Sequence, residues 1–372
     1  MTRVLQYLGE LGAGGTQSFV MELYRQMDRN KIQFDFVIFP NQRELPYYKA
    51  IIEMGGKVYE SPRYNVANHF LFYHWWNKFY NEHSEYHVLH SHIRGSASVV
   101  LPIAKKHKVI TIVHSHSTSN GKGIAAIVKN IMQFPIRYQA DYLFACSDKA
   151  GVWLYGKQAV KKSNYRMIPN GVDLKRFEFN EDKRREMRQR LEIGENDFVI
   201  GHLGRFSEPK NHKFLIEIFA KYHEKNLNCR LLMVGDGGLY ESIKMECTKM
   251  GISDSVIMPG NCNDAENYYQ AMDVFVFPSL WEGLPVSVVE AQANGLPCGL
   301  SDTITKDINL TDLVSYLPLE DKQVWVEFLK NKKEMKRSKL SDENRFKLQL
   351  FDSATVAEKM QKFYMEQDKR KR

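Results

Sequence analysis

Two successive series of short apolar, β-prone runs, each run followed by a helix-like stretch, constrain this 372-residue chain more than any other feature. The first series is Val4–Leu8, Phe34–Phe39, Lys57–Glu60, Val88–His90, Val109–Val113, Tyr142–Cys146 and Arg166–Ile168. Between them lie Thr16–Met27, Pro46–Met54, Phe70–Asn81, Ser96–Lys106 and Ala125–Gln139, which read as helices. In the first of these, Phe19, Leu23 and Met27 form one apolar stripe at helical spacing. The second series is Val199–Leu203, Arg230–Val234, Val256–Met258, Val274–Phe277 and Cys298–Leu300, with helices such as Phe214–His223. Apolar strands joined through helices make parallel sheets covered on both faces. The expected fold class is therefore α/β with two parallel-sheet domains, and the length exceeds what one core usually holds. The break is expected between Asn170 and Asp197, where Asn170-Gly171 closes a strand and a charged stretch follows. The stretch Ser353–Gln367 stands outside the second rhythm.

The strand ends carry the residues with chemical potential. Pro278-Ser279-Leu280-Trp281-Glu282-Gly283-Leu284-Pro285 follows the strand Val274–Phe277 and leads into a helix that carries Glu290. In an open α/β sheet, ligands bind outside the carboxyl ends of the strands. A helix N-terminus there suits a diphosphate, and carboxylates accept hydrogen bonds from sugar or ribose hydroxyls. Gly204-Arg205-Phe206-Ser207-Glu208-Pro209-Lys210 follows another strand. Arg205 and Lys210 flank its turn, where they can clamp a diphosphate or serve as solvated surface charge. Gly235-Asp236-Gly237-Gly238 reads as a mainly structural turn with some contact to a nucleotide. Gly12-Ala13-Gly14-Gly15 lets backbone approach a phosphate or an acceptor, without the spacing of a dinucleotide fingerprint.

Two histidine pairs, His90-Ser91-His92 and His114-Ser115-His116, close successive strands. Histidine can bond sugar hydroxyls or shuttle protons near neutral pH. Each pair is expected to be split between opposite faces of its strand, and no acid follows nearby, so no metal ligation is expected. The five cysteines are scattered and form no CxxC pair, which leaves neither a disulfide framework nor a zinc site.

Quoted as GAGGTQSFVMEL, VLHSH, TIVHSHS, ACSDKAGVWLYG, IPNGVDLKRF, GHLGRFSEPKNH, LLMVGDGG and PSLWEGLPVSVVEAQANGLP, these segments together resemble glycosyltransferase family 4. The likeness covers nearly the whole chain, and within the family it is to enzymes of capsule and exopolysaccharide assembly. Glu282 and Glu290 meet the family's E-x7-E pattern. The resemblance implies a GT-B fold: two Rossmann-like domains facing a cleft, with the C-terminal helix crossing back to the first. It places an acceptor-binding domain at residues 1–175 plus 353–372 and a nucleotide-sugar domain at 176–352.

The resemblance also implies a retaining, metal-independent transfer, with no cofactor, from a nucleotide-sugar to a lipid-linked oligosaccharide, UDP being the nucleotide by family habit. Carried over by motif position, Arg205 and Lys210 hold the donor diphosphate and Glu290 the ribose hydroxyls. Glu282 and the amides of Gly283 and Leu284 meet the donor sugar. Gly14 and Gly15 line the phosphate or acceptor side, and Gly235 borders the nucleotide. His114 faces the sugar, with His116 the runner-up and His92 beside it on the acceptor side. The chain departs from the family's Gly-x-Arg-x-Asp turn, having Asn261-Cys262-Asn263-Asp264 after Gly260, so base recognition there is in question.

A net charge of +8 gathers at Lys183–Arg190, Lys330–Lys339 and Lys369–Arg372. Such clusters suit an anionic membrane surface or phosphorylated substrates. Nucleic acid is not an expected partner, because no recognisable binding motif accompanies the charge. A nucleotide-sugar epimerase and a basic regulatory protein are the competing readings. The chain opens directly on a strand, and a cytoplasmic place at the inner membrane face is expected, with Trp75-Trp76 as a candidate interfacial surface.

Overall fold

The computed structural model describes residues 1–12, 14–117, 123–262 and 264–371, and the chain divides into two compact units. Ala13, Asn263 and Arg372, which belong to segments discussed above, lie outside the described residues.

The first unit comprises Met1–Gly171 together with the segment that begins at Phe351. Its strands are β1 (Thr2–Gly9), β2 (Ile32–Ile38), β3 (Val58–Glu60), β4 (Val88–Ser91), β5 (Ile110–Ser115), β6 (Tyr142–Ala145) and β7 (Tyr165–Met167). They form one parallel sheet in the order β3-β2-β1-β4-β5-β6-β7. The second unit, Val172–Leu350, holds β8 (Phe198–Leu203), β9 (Cys229–Val234), β10 (Val256–Gly260), β11 (Val274–Phe277), β12 (Cys298–Ser301) and β13 (Val314–Leu317). These run parallel in the order β10-β9-β8-β11-β12-β13. Both sheets are doubly wound, and each reverses its direction of growth once, between β1 and β4 and between β8 and β11. Such reversals open a crevice at the carboxyl ends of the two strands.

The central strands are apolar on both faces because helices cover both. Val4, Phe34, Val88, Ile112 and Phe144 are fully buried on one side of the first sheet, and Leu5, Tyr7, Val37 and Leu89 on the other. The C-terminal helix Ser353–Lys369 belongs to this first core, supplying Val356, Met360, Phe363 and Tyr364. Polar contacts pin it: Thr2 Oγ1 donates to Asp368 at 2.7 Å, His87 Nδ1 lies 2.7 Å from the same carboxylate, and Tyr142 donates to Gln367 at 2.9 Å. In the second unit, Trp325 and Phe328 from helix Lys322–Lys332 close a core with Phe219, Leu231 and Val276.

Two expectations change. The stretch read as one helix from Ala125 to Gln139 is two, Ile124–Gln133 and Ile136–Gln139, separated at Pro135, whose ring cannot continue the hydrogen-bond ladder. Trp76 is fully buried against Tyr7 and Phe72 rather than exposed. The outward side of its helix carries Phe70, Leu71 and Tyr73 instead.

Candidate active site

In the second unit, the loops after β8 and β11, the two strands of the reversal, meet each other. Leu280 N–H donates to the Pro209 carbonyl at 2.8 Å and Asn211 Nδ2 to the Pro278 carbonyl at 3.1 Å. Pro209 sits in a 3₁₀ turn, Glu208–Lys210, which Asn211 ends in the left-handed conformation at φ 55°. That turn aims Lys210 across at the other loop. Its Nζ lies 2.7 Å from Glu282 Oε1 and 4.5 Å from the centre of the Phe277 ring, with both charged side chains mostly covered. Arg205, by contrast, is exposed. The turn after β9 closes against the same loop: a Cβ on Gly235, at φ 138°, would strike the Gly204 carbonyl, and one on Gly237 would meet the Phe206 backbone. Glycine is needed here for close packing of two backbones.

Glu290 stands on the second turn of helix Val286–Ala293. Tyr269 donates to its Oε2 at 2.8 Å and to the Ser287 carbonyl at 3.0 Å. Burial pushes the Glu290 carboxyl up to about 7, against the opposing pull of Tyr269 and of Arg176. Gly283 and the buried Leu284 lie just before this helix, whose N-cap, Pro285, offers its amides no side-chain acceptor. Free amides at a helix start favour an anion. Beneath the loops, His202 Nδ1–H donates to the Val276 carbonyl at 2.9 Å, and burial holds its pKa down at about 4.

In the first unit, the histidines gather at the carboxyl ends of β4 and β5. They are not split between faces: side chains alternate along a strand, so positions i and i+2 share one side. The ring centres of His90 and His92 are 4.3 Å apart, those of His114 and His116 are 4.0 Å apart, and His90 stacks nearly parallel on His114 at 5.4 Å. Phe19 covers His114 edge-on. His90 Nδ1 lies 2.6 Å from the Tyr364 hydroxyl, His92 Nε2 lies 3.0 Å from Gln6 Oε1, and His92 Nδ1 lies 2.9 Å from His116 Nε2. Burial drives all four imidazoles below their ordinary value, His116 to about 3, so they are neutral at physiological pH. Gly14 caps helix Gly15–Gln26 after β1, and space is open above Gly12 and Gly15.

In each unit the expected residues lie at the carboxyl ends of the strands: Gly14, Gly15 and His92 after β1 and β4, Lys210 and Glu282 after β8 and β11, with His114 and His116 at the end of the adjoining β5 and Gly235 after β9. A family model described as Glycosyltransferase Family 4 matches residues 13–176, and one described as Glycosyl transferases group 1 matches residues 183–305. A protein of Bacillus subtilis (strain 168) named "Putative glycosyltransferase EpsF" is 33% identical over 333 residues, covering 87% of this chain and 86% of the relative. The chain belongs to glycosyltransferase family 4. Over a shorter span, 139 residues and 36% of the relative, this family 4 enzyme is 38% identical to the UDP-Gal:alpha-D-GlcNAc-diphosphoundecaprenol alpha-1,3-galactosyltransferase of Escherichia coli. The Staphylococcus aureus capsular polysaccharide biosynthesis glycosyltransferase CapM is 27% identical over 184 residues, 47% of each chain. Among solved structures, Anabaena HepE in complex with UDP and glucose superposes with a TM-score of 0.78 over 98% of this chain and 99% of that one, at 17% identity, which shows the GT-B fold.

The family 4 motifs do not name every residue that shapes the site. Tyr269 fixes Glu290, Phe277 lies under Lys210, and Gln6 and Tyr364 orient the histidines. Tyr269 sits on the helix just before β11 and Tyr364 on the C-terminal helix, both outside the motifs, and only their aromatic-hydroxyl chemistry hinted at a polar role.

Proposed function

We propose that this glycosyltransferase moves a sugar with retention from a UDP-sugar to a lipid-linked oligosaccharide during assembly of a surface polysaccharide. The observation that carries the reading is the Lys210–Glu282 pair at the carboxyl ends of β8 and β11, with Glu290 on the next helix. In a nucleotide-sugar the diphosphate joins the sugar to the ribose, and the three side chains match its parts: Lys210 supplies a cation for the diphosphate, Glu282 an acid for the sugar and Glu290 an acid for the ribose. Arg205 and Lys210 supply positive charge to the departing diphosphate, so the reaction has no obligatory metal ion. Gly283 and Leu284 add backbone donors, and Gly235 keeps the nucleotide side tightly packed. On the first unit, Gly14, Gly15, His92, His114 and His116 serve the acceptor and the face of the sugar. The UDP complex of the structural neighbour and the UDP-Gal and diphosphoundecaprenol in the E. coli relative's name support this choice of donor and acceptor class.

A panel of UDP-, GDP- and ADP-sugars tests it by slow donor hydrolysis and thermal stabilisation, with and without EDTA. One UDP-sugar is expected to stand out, unaffected by the chelator. Preference for a GDP- or ADP-sugar, or loss of turnover in EDTA, would overturn the donor or metal assignment.

Membrane contact is part of the same proposal, because a lipid-linked acceptor is presented at a bilayer. Among the described residues no helix is long and apolar enough to cross one. The first unit does expose Ile127, Ile131, Phe134 and Tyr138 in a row at helical spacing, beside the exposed Lys129. An apolar stripe edged with lysine suits an anionic surface. The wild-type protein is expected to sediment with phosphatidylglycerol vesicles and Ile127→Asp/Ile131→Asp to stay in the supernatant. Equal sedimentation of both would remove this surface from the proposal.

A further inference from the structure

The histidine cluster of the first unit offers more ligand capacity than its hydrogen bonds consume. His90 Nε2 is buried without a hydrogen-bond partner among the described residues, and His114 has at most a loose contact with the Ile168 backbone, neither ring nitrogen making a hydrogen bond of good geometry. Both residues are fully buried, and His92 is nearly so. One ligating nitrogen from each of His90, His92 and His114 can be chosen so that all three lie within 4.8 Å of one another. We propose that these three histidines form a binding site for a borderline divalent transition-metal ion, zinc being the physiological representative.

The geometry is close to what such an ion needs. Three atoms no more than 4.8 Å apart lie within about 2.8 Å of a common centre, so each ring has to move inward by only about 0.7 Å to reach a zinc–nitrogen bond length. Supporting contacts of the kind that orient metal-bound imidazoles are in place. The Tyr364 hydroxyl holds His90 at Nδ1 and leaves Nε2 facing the cluster. His92 ligates by releasing one of its two partners, Gln6 or His116.

An all-nitrogen set with no carboxylate selects zinc, nickel, cobalt or copper over magnesium and calcium, which prefer oxygen. Three protein ligands also leave a fourth position open for water. This ion is separate in chemistry from any on the donor diphosphate. It would occupy His92 and His114, which the proposed function assigns to the acceptor side. Antagonism of transfer by zinc follows only if that reading holds; the binding itself does not depend on it.

Titration of the full-length protein with Zn²⁺ against a chromogenic chelator, and with Co²⁺ followed by its visible absorption, tests the site without any turnover assay. One ion per chain is expected, with cobalt bands of a low-coordinate nitrogen site. His90→Gln and His114→Gln should each weaken binding by about 100-fold or more, Tyr364→Phe by about 10-fold, and the exposed His74→Gln not at all. Far-ultraviolet circular dichroism reports that each variant is folded. Wild-type affinity no tighter than that of a folded His114→Gln variant would overturn the site, as would binding that disappears with His74→Gln.

Discussion

Lys210→Ala and Glu282→Ala should each lower kcat/KM by two to three orders of magnitude, about 3–4 kcal/mol of transition-state stabilisation, while the fold survives. The size follows from what the pair does when the donor arrives. In the free enzyme Lys210 neutralises Glu282 at 2.7 Å and rests over Phe277. In the proposed reaction a developing diphosphate at the β8–β11 reversal would draw the ammonium toward itself and let Glu282 turn to the hydroxyls of the sugar. On this reading removing Lys210 costs twice: the leaving group loses a cation, and a mostly covered carboxylate faces an anion without its lysine. Removing Glu282 frees Lys210 but loses the sugar contact, so kcat should fall more than KM rises. Because the two residues act on one event, the double variant should be little worse than the poorer single one. Initial rates with the donor found in the panel check this, with thermal melts as the folding control. Wild-type rates in both single variants would sink the assignment.

Much of this arrangement is legible from residue order because a doubly wound sheet writes itself as a rhythm. Strands apolar on both faces, such as Val274–Phe277, stand out from amphipathic helices, and glycines and prolines punctuate the turns between them. The motifs lie at strand ends, so locating a strand also locates its part of the site. What escapes the sequence is of two kinds. Val314–Leu317 is a short edge strand, with three of its four residues only half-buried, and its apolar signal fades accordingly. The other kind depends on packing across elements. Whether the indole of Trp76 faces solvent or Tyr7 is decided by the sheet, and the elevated pKa of Glu290 by the pocket around it. The histidine pairs are a different matter: strand alternation alone puts His90 with His92 and His114 with His116, and only the convergence of the two pairs needs the structure.

Glu290→Gln should uncouple nucleotide binding and stability from pH in the range where the wild-type carboxyl titrates. Burial raises that carboxyl from the ordinary carboxylate range to about 7, and nearby Glu266 reinforces the shift. A folded-state pKa above the unfolded one contributes stability that is fully present at pH 4 and is lost as the pH rises through 7. At pH 8 the ionised carboxylate thus costs the free enzyme up to about 3 kcal/mol, which Gln avoids while keeping an acceptor for Tyr269. The variant should melt above the wild type at pH 8 and level with it or below at pH 5. Nucleotide binding works in the opposite sense. In the proposed contact ribose hydroxyls donate to the carboxylate, which would favour its ionised form and pull its pKa down. Wild-type affinity for UDP should therefore rise between pH 6 and pH 8, with proton release visible by calorimetry in buffers of different ionisation enthalpy. The Gln variant should bind more weakly and show neither the rise nor the proton. A wild type whose melting gap to the variant is constant with pH, and which releases no proton on binding UDP, would remove Glu290 from the ribose contact.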